Sequence, residues 1–405
     1  MKKFNPYSIL FFTIIIIIML YELKWSMLYP KLSIPLATFI IMILIGCIIF
    51  DFLLMRHLGS YDFNNESISF EHQKWYGIVT ALIVIGTVMD GIYSHGFPLL
   101  GAVKYGDTYG IPFVHVLIAI ISSFTAYSLA MTLTFEKKFN IKVLIYLLIV
   151  ILCILLPLSR LLIILTLFNY FWSFLYLKIK HRDFSIKKII TIFLISIIGL
   201  YCFGILGNYR INVQTGQNDS DYKDSSLIYE IGVPSQNFIN TKIPGPFFWD
   251  YIYITSPLAN LQNITNNDQD RNANIIKFLG TQLLPDTLSK RLYPEFKQEI
   301  SNNTYQYQTA SVLNVSTIFF QSYYLLGWFG MYFMAIFILI FPIIYIVLIS
   351  RSSKKNFLFG ISVLNTIYIL AMFDNMFVLS VLSLQLLIPI ILGFKKKKIN
   401  KKTNG

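Results

Sequence analysis

Apolar residues run along this chain in long blocks separated by short polar connectors as far as residue 207; residues 208–315 are rich in polar side chains, and the apolar blocks then resume. A helix needs ~17 to 25 mostly apolar residues to cross a bilayer. Blocks near or above that length lie at 7–23, 33–55, 75–94, 112–134, 141–157, 160–177, 188–207, 317–349, 357–373 and 375–394. The pattern predicts an all-α polytopic membrane protein with ten transmembrane helices and one large extracytoplasmic loop. Four units follow: spans one to seven over 1–207, the loop over 208–315, spans eight to ten over 316–394, and a basic tail over 395–405. The apolar stretch 141–177 is too long for one span, and Pro157-Leu158-Ser159-Arg160 inside it combines a helix breaker with a charge, so a tight turn is expected there. The stretch from Val315 to Ile349 is also too long for a level crossing. Its first part, with Gln321, Tyr323 and Tyr324, is expected at the membrane interface, ahead of Gly327-Trp328-Phe329-Gly330.

Composition agrees, since 56% hydrophobic and only 13% charged residues do not fit a soluble globule. Charge then sets the orientation, because Lys and Arg of short loops collect on the cytoplasmic side. Basic residues gather at Lys2 and Lys3, Arg56 and Lys74, Lys137 to Lys142, Lys178 to Lys188, Arg351 to Lys355, and Lys395 to Lys402, which are alternate connectors of a ten-span chain with both termini inside. The net charge of +13 is thus largely a topology signal and does not call for a nucleic-acid partner. Cys47, Cys153 and Cys202 all fall within spans, so neither a disulfide framework nor a cysteine metal cluster is expected. No phosphate-binding glycine loop is present to serve a built-in nucleotide motor.

The segments assigned to the outer face carry the chemistry. Asp90, His95 and His115 lie in a Gly- and Pro-rich stretch between the third and fourth spans, which reads either as a plain connector or as a folded re-entrant segment. An imidazole there can take a proton from a hydroxyl. Arg160 sits at a membrane boundary, where a guanidinium either snorkels or has a function; its planar fork suits phosphate. Arg210 is expected at a similar depth, so the two can clamp a pyrophosphate. Within the loop, Phe247 to Leu261 is aromatic and apolar, reading as a helix on the membrane or packed on the spans. Trp249, Tyr253 and Asn260 there are either packing residues or a platform for sugar. The mixed charges from Arg271 to Glu299 read as a solvated face. Asp374 is either a base or a turn-capping residue. No His, Asp or Glu spacing suggests a metal site.

Taken together, the Gly110-Ile111-Pro112 and His115 stretch, Ser159-Arg160 between two spans, Gly207 to Arg210 opening a large loop, and Trp249, Tyr251, Tyr253, Ser256-Pro257 and Asn260-Leu261 within it give a chain that resembles the bacterial oligosaccharide repeat-unit polymerases, the Wzy-type O-antigen and capsule polymerases. Leu161 follows Ser159-Arg160 where such proteins often carry glycine, so only the arginine is carried over. The resemblance implies a GT-C-like membrane fold and a glycosyltransferase that needs no metal or other cofactor. It implies transfer of a growing glycan from undecaprenyl pyrophosphate to the next lipid-linked repeat unit, at the outer face of the bacterial inner membrane. A flippase and a chain-length regulator of the same pathway are the implied partners. Three rivals remain open: an O-antigen ligase, whose outer-loop histidine motif is not found; a lipid-linked glycan flippase or other transporter, expected to carry polar residues deep in its spans, which here read as nearly free of them; and a membrane acyltransferase, which needs a buried histidine.

Overall fold

The computed structural model describes residues 5–58, 68, 70, 74–100, 109–136, 138–157, 160–180, 186–214, 225–267, 274–310 and 312–393. Side chains of Arg160 and Arg210, and the basic tail, lie outside the described residues. The described residues are helical throughout, the exception to coil and turn being one antiparallel bridge between Ser26 and Pro234. Apolar helices come first: α1 (Pro6–Tyr21), α2 (Ile34–Leu58), α3 (Trp75–Tyr93), α4 (Val114–Phe135), α5 (Ile141–Leu155), α6 (Arg160–Lys180) and α7 (Ile186–Gln214). The polar region folds as α8 (Ser226–Gly232), α9 (Gln236–Ile239), α10 (Pro246–Asn266), α11 (Ile275–Phe278), α12 (Asp286–Leu292) and α13 (Pro294–Thr304). The chain closes with α14 (Phe320–Ile349), α15 (Lys354–Leu370) and the short α16 (Ser380–Ser383). Five stretches, Ile34–Arg56, Trp75–Tyr93, Val114–Phe135, Leu161–Lys178 and Phe320–Ile349, are long and apolar enough to cross a membrane, so this is an α-helical membrane protein; Pro6–Tyr21, Ile141–Leu155, Ile197–Tyr209 and Ser380–Gly393 are apolar but shorter.

Two features of the last third differ from simple spans. Where one span over 375–394 was expected, the chain makes turns through 371–379 and only then becomes helical: Asp374 accepts from the Asn375 backbone N–H within the turn, and Asn375 donates its amide to the Gln282 carbonyl of the loop. In α14 the helix breaks at Gly327, with φ 63° and ψ −147°, a conformation open to glycine and hardly to other residues. The break falls where the interfacial segment was expected to end.

Pro342 inside α14 removes a backbone donor and frees the carbonyl four residues before it. That carbonyl belongs to Ile338, and the Tyr368 hydroxyl of α15 donates to it; Tyr7 of α1 donates to the next carbonyl, Leu339, at 2.6 Å. A buried tyrosine needs a partner for its hydroxyl and a bilayer offers no water, so the proline defect becomes a three-helix clasp. Asn5 caps α1 through Ser8 and Tyr7 and donates its amide to Asp51 of α2.

The helix interfaces also hold a ladder of neutral polar groups. Asn169 of α6 accepts from Thr366 of α15 at 2.7 Å and donates to Gln385 at 3.2 Å. Ser173 meets Tyr127 of α4 at 2.8 Å and Ser362 at 2.6 Å, and Asn365 donates to Tyr176 at 3.2 Å. This corrects the expectation that the spans are nearly free of polar residues: single Ser, Thr and Asn among isoleucines scarcely alter hydropathy, and only their convergence reveals the ladder.

Loop helices pack on this bundle. α10 lies against α7, α1 and α14, with Phe248, Tyr251, Ile252, Ile228, Phe238 and Leu313 forming a separate small core. Trp25 in the first connector packs on Phe238 and Tyr251, and Ser26 donates to the Gly232 carbonyl at 2.6 Å, so the first connector and the large loop fold as one cap.

Candidate functional site at the loop face

Asp90 occupies the last turn of α3 and is 1% exposed. A carboxylate buried to that degree is costly unless both oxygens are bonded. Asp90 Oδ1 accepts from the Ile111 backbone N–H at 2.9 Å, and Oδ2 lies 2.8 Å from His115 Nδ1. Because an ionised carboxylate only accepts, the neutral tautomer that fits this pair carries its hydrogen on Nδ1 and its lone pair on Nε2. The approach is fixed locally. Gly110 has φ +85°, and a Cβ there would sit 2.7 Å from the imidazole Cγ, so only glycine lets the turn close over the ring. Its N–H donates to Ser94 Oγ at 2.7 Å, tying the start of α4 to the end of α3. Tyr109 meets the imidazole edge-on at 5.4 Å, and its hydroxyl is buried without a hydrogen-bond partner among the described residues; burial, and then the Asp90 charge, push that phenol up to about 12.

His95 is placed differently. It holds φ 57° in the turn that ends α3, and its side chain is exposed. Phe113, just ahead of α4, holds φ 71°, a strained conformation for a bulky residue that persists only where its surroundings impose it. Arg291, the penultimate residue of α12, places its guanidinium 5.5 Å from the Phe113 ring centre. The charged segment expected to be a solvated face therefore reaches the histidine's own turn. At its other end, α12 begins with Asp286, which accepts from the Ser380 backbone N–H at 3.1 Å, while Lys290 lies 3.3 Å from its other oxygen. Lys277 and Glu299 pair at 2.6 Å.

Beside α12 opens a cavity of about 260 Å³ lined by Thr281, Asp286, Ile300, Gln321, Asp374, Asn375, Val378 and Leu379. Asp374 is exposed, and its Oδ1 accepts from the next backbone N–H at 2.7 Å. Both Asp286 and Gln321 were invisible as site residues in the sequence, since they reach this wall from distant segments. No spacing rule links them.

The proposed sugar platform is spent inside the fold. Trp249 donates to Asn208 at 2.8 Å and is 5% exposed; Asn260 is wholly buried, donating to the Leu313 and Val315 carbonyls and accepting twice from Thr309. Half-buried Tyr253 packs on Phe203 and Trp249. Packing accounts for all three, in line with the alternative left open for them. Arg160 starts α6 and Arg210 lies in the last turns of α7. Among the described residues no three His, Cys, Asp or Glu side chains converge as a metal-binding set. No protein-family model matches this chain, and no match was found to it among curated proteins or solved structures.

Proposed function

We propose that this protein is a metal-independent glycosyltransferase of the bacterial inner membrane. In this reading it polymerises oligosaccharide repeat units carried on undecaprenyl pyrophosphate, for O-antigen or capsule. The observation that carries the proposal is the Asp90–His115 pair: a carboxylate that orients an imidazole and leaves Nε2 open is the arrangement a general base needs. In the reaction, Nε2 takes the proton of the acceptor hydroxyl as its oxygen attacks the anomeric carbon, and the bond to the pyrophosphate oxygen breaks with its electron pair. Arg160 and Arg210 are assigned to the leaving pyrophosphate, whose charge needs fixed donors. Arg291, brought to the histidine's turn, joins them as a further cation on this face. Phe113, strained at the same turn, fits a site held in a set geometry. The reading takes the chain as ten spans with both termini cytoplasmic in a GT-C-like arrangement, counts the shorter apolar helices as spans, and keeps a chain-length regulator and a flippase as partners.

A second reading is favoured by the polar ladder between α4, α6 and α15, because such groups suit a membrane transporter. One experiment separates the two. The gene is deleted in the source bacterium and complemented with wild type, His115→Ala, Arg160→Ala or Arg210→Ala, with surface glycan resolved on a gel and protein levels checked. Polymerisation predicts that deletion leaves single repeat units on the acceptor and that the variants fail to restore the ladder. Loss of all glycan, single units included, favours the transporter.

A further inference from the structure

The cavity beside α12 has a chemical character that narrows its ligand. Its wall carries carboxylates from two segments far apart in sequence: Asp286, whose Oδ1 accepts from the Ser380 N–H, and Asp374, whose Oδ1 accepts from the Asn375 N–H, and a carboxylate oxygen can accept more than one hydrogen bond. It also offers an oriented donor. Gln282 donates to Gln321 Oε1 at 2.9 Å, which fixes the amide and leaves Gln321 Nε2 without a hydrogen-bond partner among the described residues. Asn375 is held in place by donating to the Gln282 carbonyl at 2.8 Å. Ile300, Val378 and Leu379 supply an apolar side. The wall segment Leu279–Leu283 is a π-helical turn, a costly local geometry that recurs at functional sites.

Charge excludes the ligands the rest of this face would suggest. The lining holds two carboxylates, one of them beside Lys290, and no cation of its own, so it offers phosphate, pyrophosphate and uronate no charge partner. A divalent cation is also disfavoured, because Lys290 already sits 3.3 Å from Asp286 and the Gln321 oxygen is turned to Gln282. What remains is an uncharged molecule whose groups both donate and accept hydrogen bonds and whose body has an apolar face. The volume falls just below the roughly 300 to 1,000 Å³ of sites for drug-sized ligands, which leaves room for one ring and not for an oligosaccharide. We infer that this cavity is a binding subsite for a single neutral sugar residue, gripped by Asp286, Asp374 and Gln321. The subsite lies one short helix from the histidine's turn: α12 runs from Asp286 to Leu292, and Arg291 near its end reaches Phe113. The inference deepens the glycosyl-transfer reading and rests on it for the sugar's being part of a lipid-linked glycan.

The test is saturation-transfer NMR on the purified full chain in detergent, with glucose, N-acetylglucosamine and glucuronate as probes, and with Gln321→Ala and Asp374→Asn as variants whose folding is checked by circular dichroism. Neither residue belongs to the Asp90–His115 pair. The expected result is transfer to the two neutral sugars, transfer to glucuronate about fivefold weaker, and loss of most of the neutral-sugar signal in Gln321→Ala. Asp374→Asn should narrow the gap for glucuronate. Equal transfer to glucuronate in the wild type, or neutral-sugar signals unchanged in Gln321→Ala, overturns the subsite. Failure of polymerisation itself reads out separately: neutral sugars that bind to a protein whose deletion leaves the glycan ladder intact would retain the subsite and discard the enzyme reading.

Discussion

Replacing Asn260 with alanine tests whether this side chain is a structural clip or a ligand group. Its Nδ2 donates at 2.8 Å to two carbonyls, Leu313 and Val315, and its Oδ1 accepts at 2.7 Å from both the N–H and the hydroxyl of Thr309. A net ~0.5 to 1.5 kcal/mol per hydrogen bond gives roughly 2 to 6 kcal/mol for the four. The side chain is wholly buried, so its loss strands the Thr309 N–H and both carbonyls, and about 4 kcal/mol is the central expectation. At ~2 °C per kcal/mol for a large chain, the midpoint of thermal unfolding should fall by about 8 °C. Asn260→Asp is the control, because it keeps the oxygen that accepts both Thr309 hydrogens but turns a carboxylate oxygen on two carbonyls and should destabilise at least as much. The assay is size-exclusion chromatography of detergent-solubilised protein after heating through a temperature series. A variant that keeps the wild-type midpoint within about 2 °C while losing the glycan ladder would refute the clip and return Asn260 to ligand binding.

Asp90→Asn retains an oxygen for the Ile111 N–H but turns a donor on His115 Nδ1, which moves the imidazole hydrogen to Nε2; polymerisation measured on lipid-linked repeat units should slow ~10²- to 10⁴-fold with little change in stability, and retention of full turnover would remove the base. Asp250 is 7% exposed, its Oδ2 has no hydrogen-bond partner among the described residues, and burial raises its carboxyl to about 7. A raised acid favours the folded state below the ordinary carboxylate range and loses that benefit as pH rises through about 7; at pH 8.5 the buried charge should cost on the order of 2 to 4 kcal/mol. Thermal midpoints of wild type and Asp250→Asn between pH 5 and pH 8.5 should therefore diverge in the variant's favour at the alkaline end, and parallel curves would contradict the assignment. Gly204 of α7 faces the Pro246 backbone carbonyl so closely that a Cβ has no room; Gly204→Ala should part α7 from α10 at a cost of ~1 to 3 kcal/mol, read as reduced yield of folded protein and a lower midpoint.

The sequence was most legible where one physical rule governs a long stretch. Isoleucine-rich blocks announced the apolar helices, and the proline and arginine at 157–160 announced the break between α5 and α6. Asp90 and His115 could be nominated because glycines and a proline lay between them, yet their contact needed the φ of Gly110 and the end of α3, neither of which periodicity specifies. Trp249 and Asn260 were ambiguous because an aromatic or amide side chain looks the same in sequence whether it faces a ligand or a neighbouring helix. Arg291 and Asp286 were missed for the opposite reason: a helix of alternating charges reads as solvated until its ends are seen against Phe113 and Ser380. The last apolar block misled because hydropathy averages over Asp374 and Asn375, which bond to each other and, through Asn375, to Gln282 of the loop in the turn that precedes the helix.

The polar ladder has a bearing on how the protein is made. Asn169 reaches the bilayer with α6, but its partners Thr366 and Gln385 lie 197 and 216 residues further along the chain. At ~5 to 20 residues per second of synthesis, that separation leaves the amide waiting roughly 10 to 40 s in the membrane before its partners emerge. During that interval α4 and α6 are an unfinished surface to which a membrane chaperone, or a degradative protease, has first access. The two interactions that hold Asn169 in the folded bundle can therefore form only once the last helices have been made.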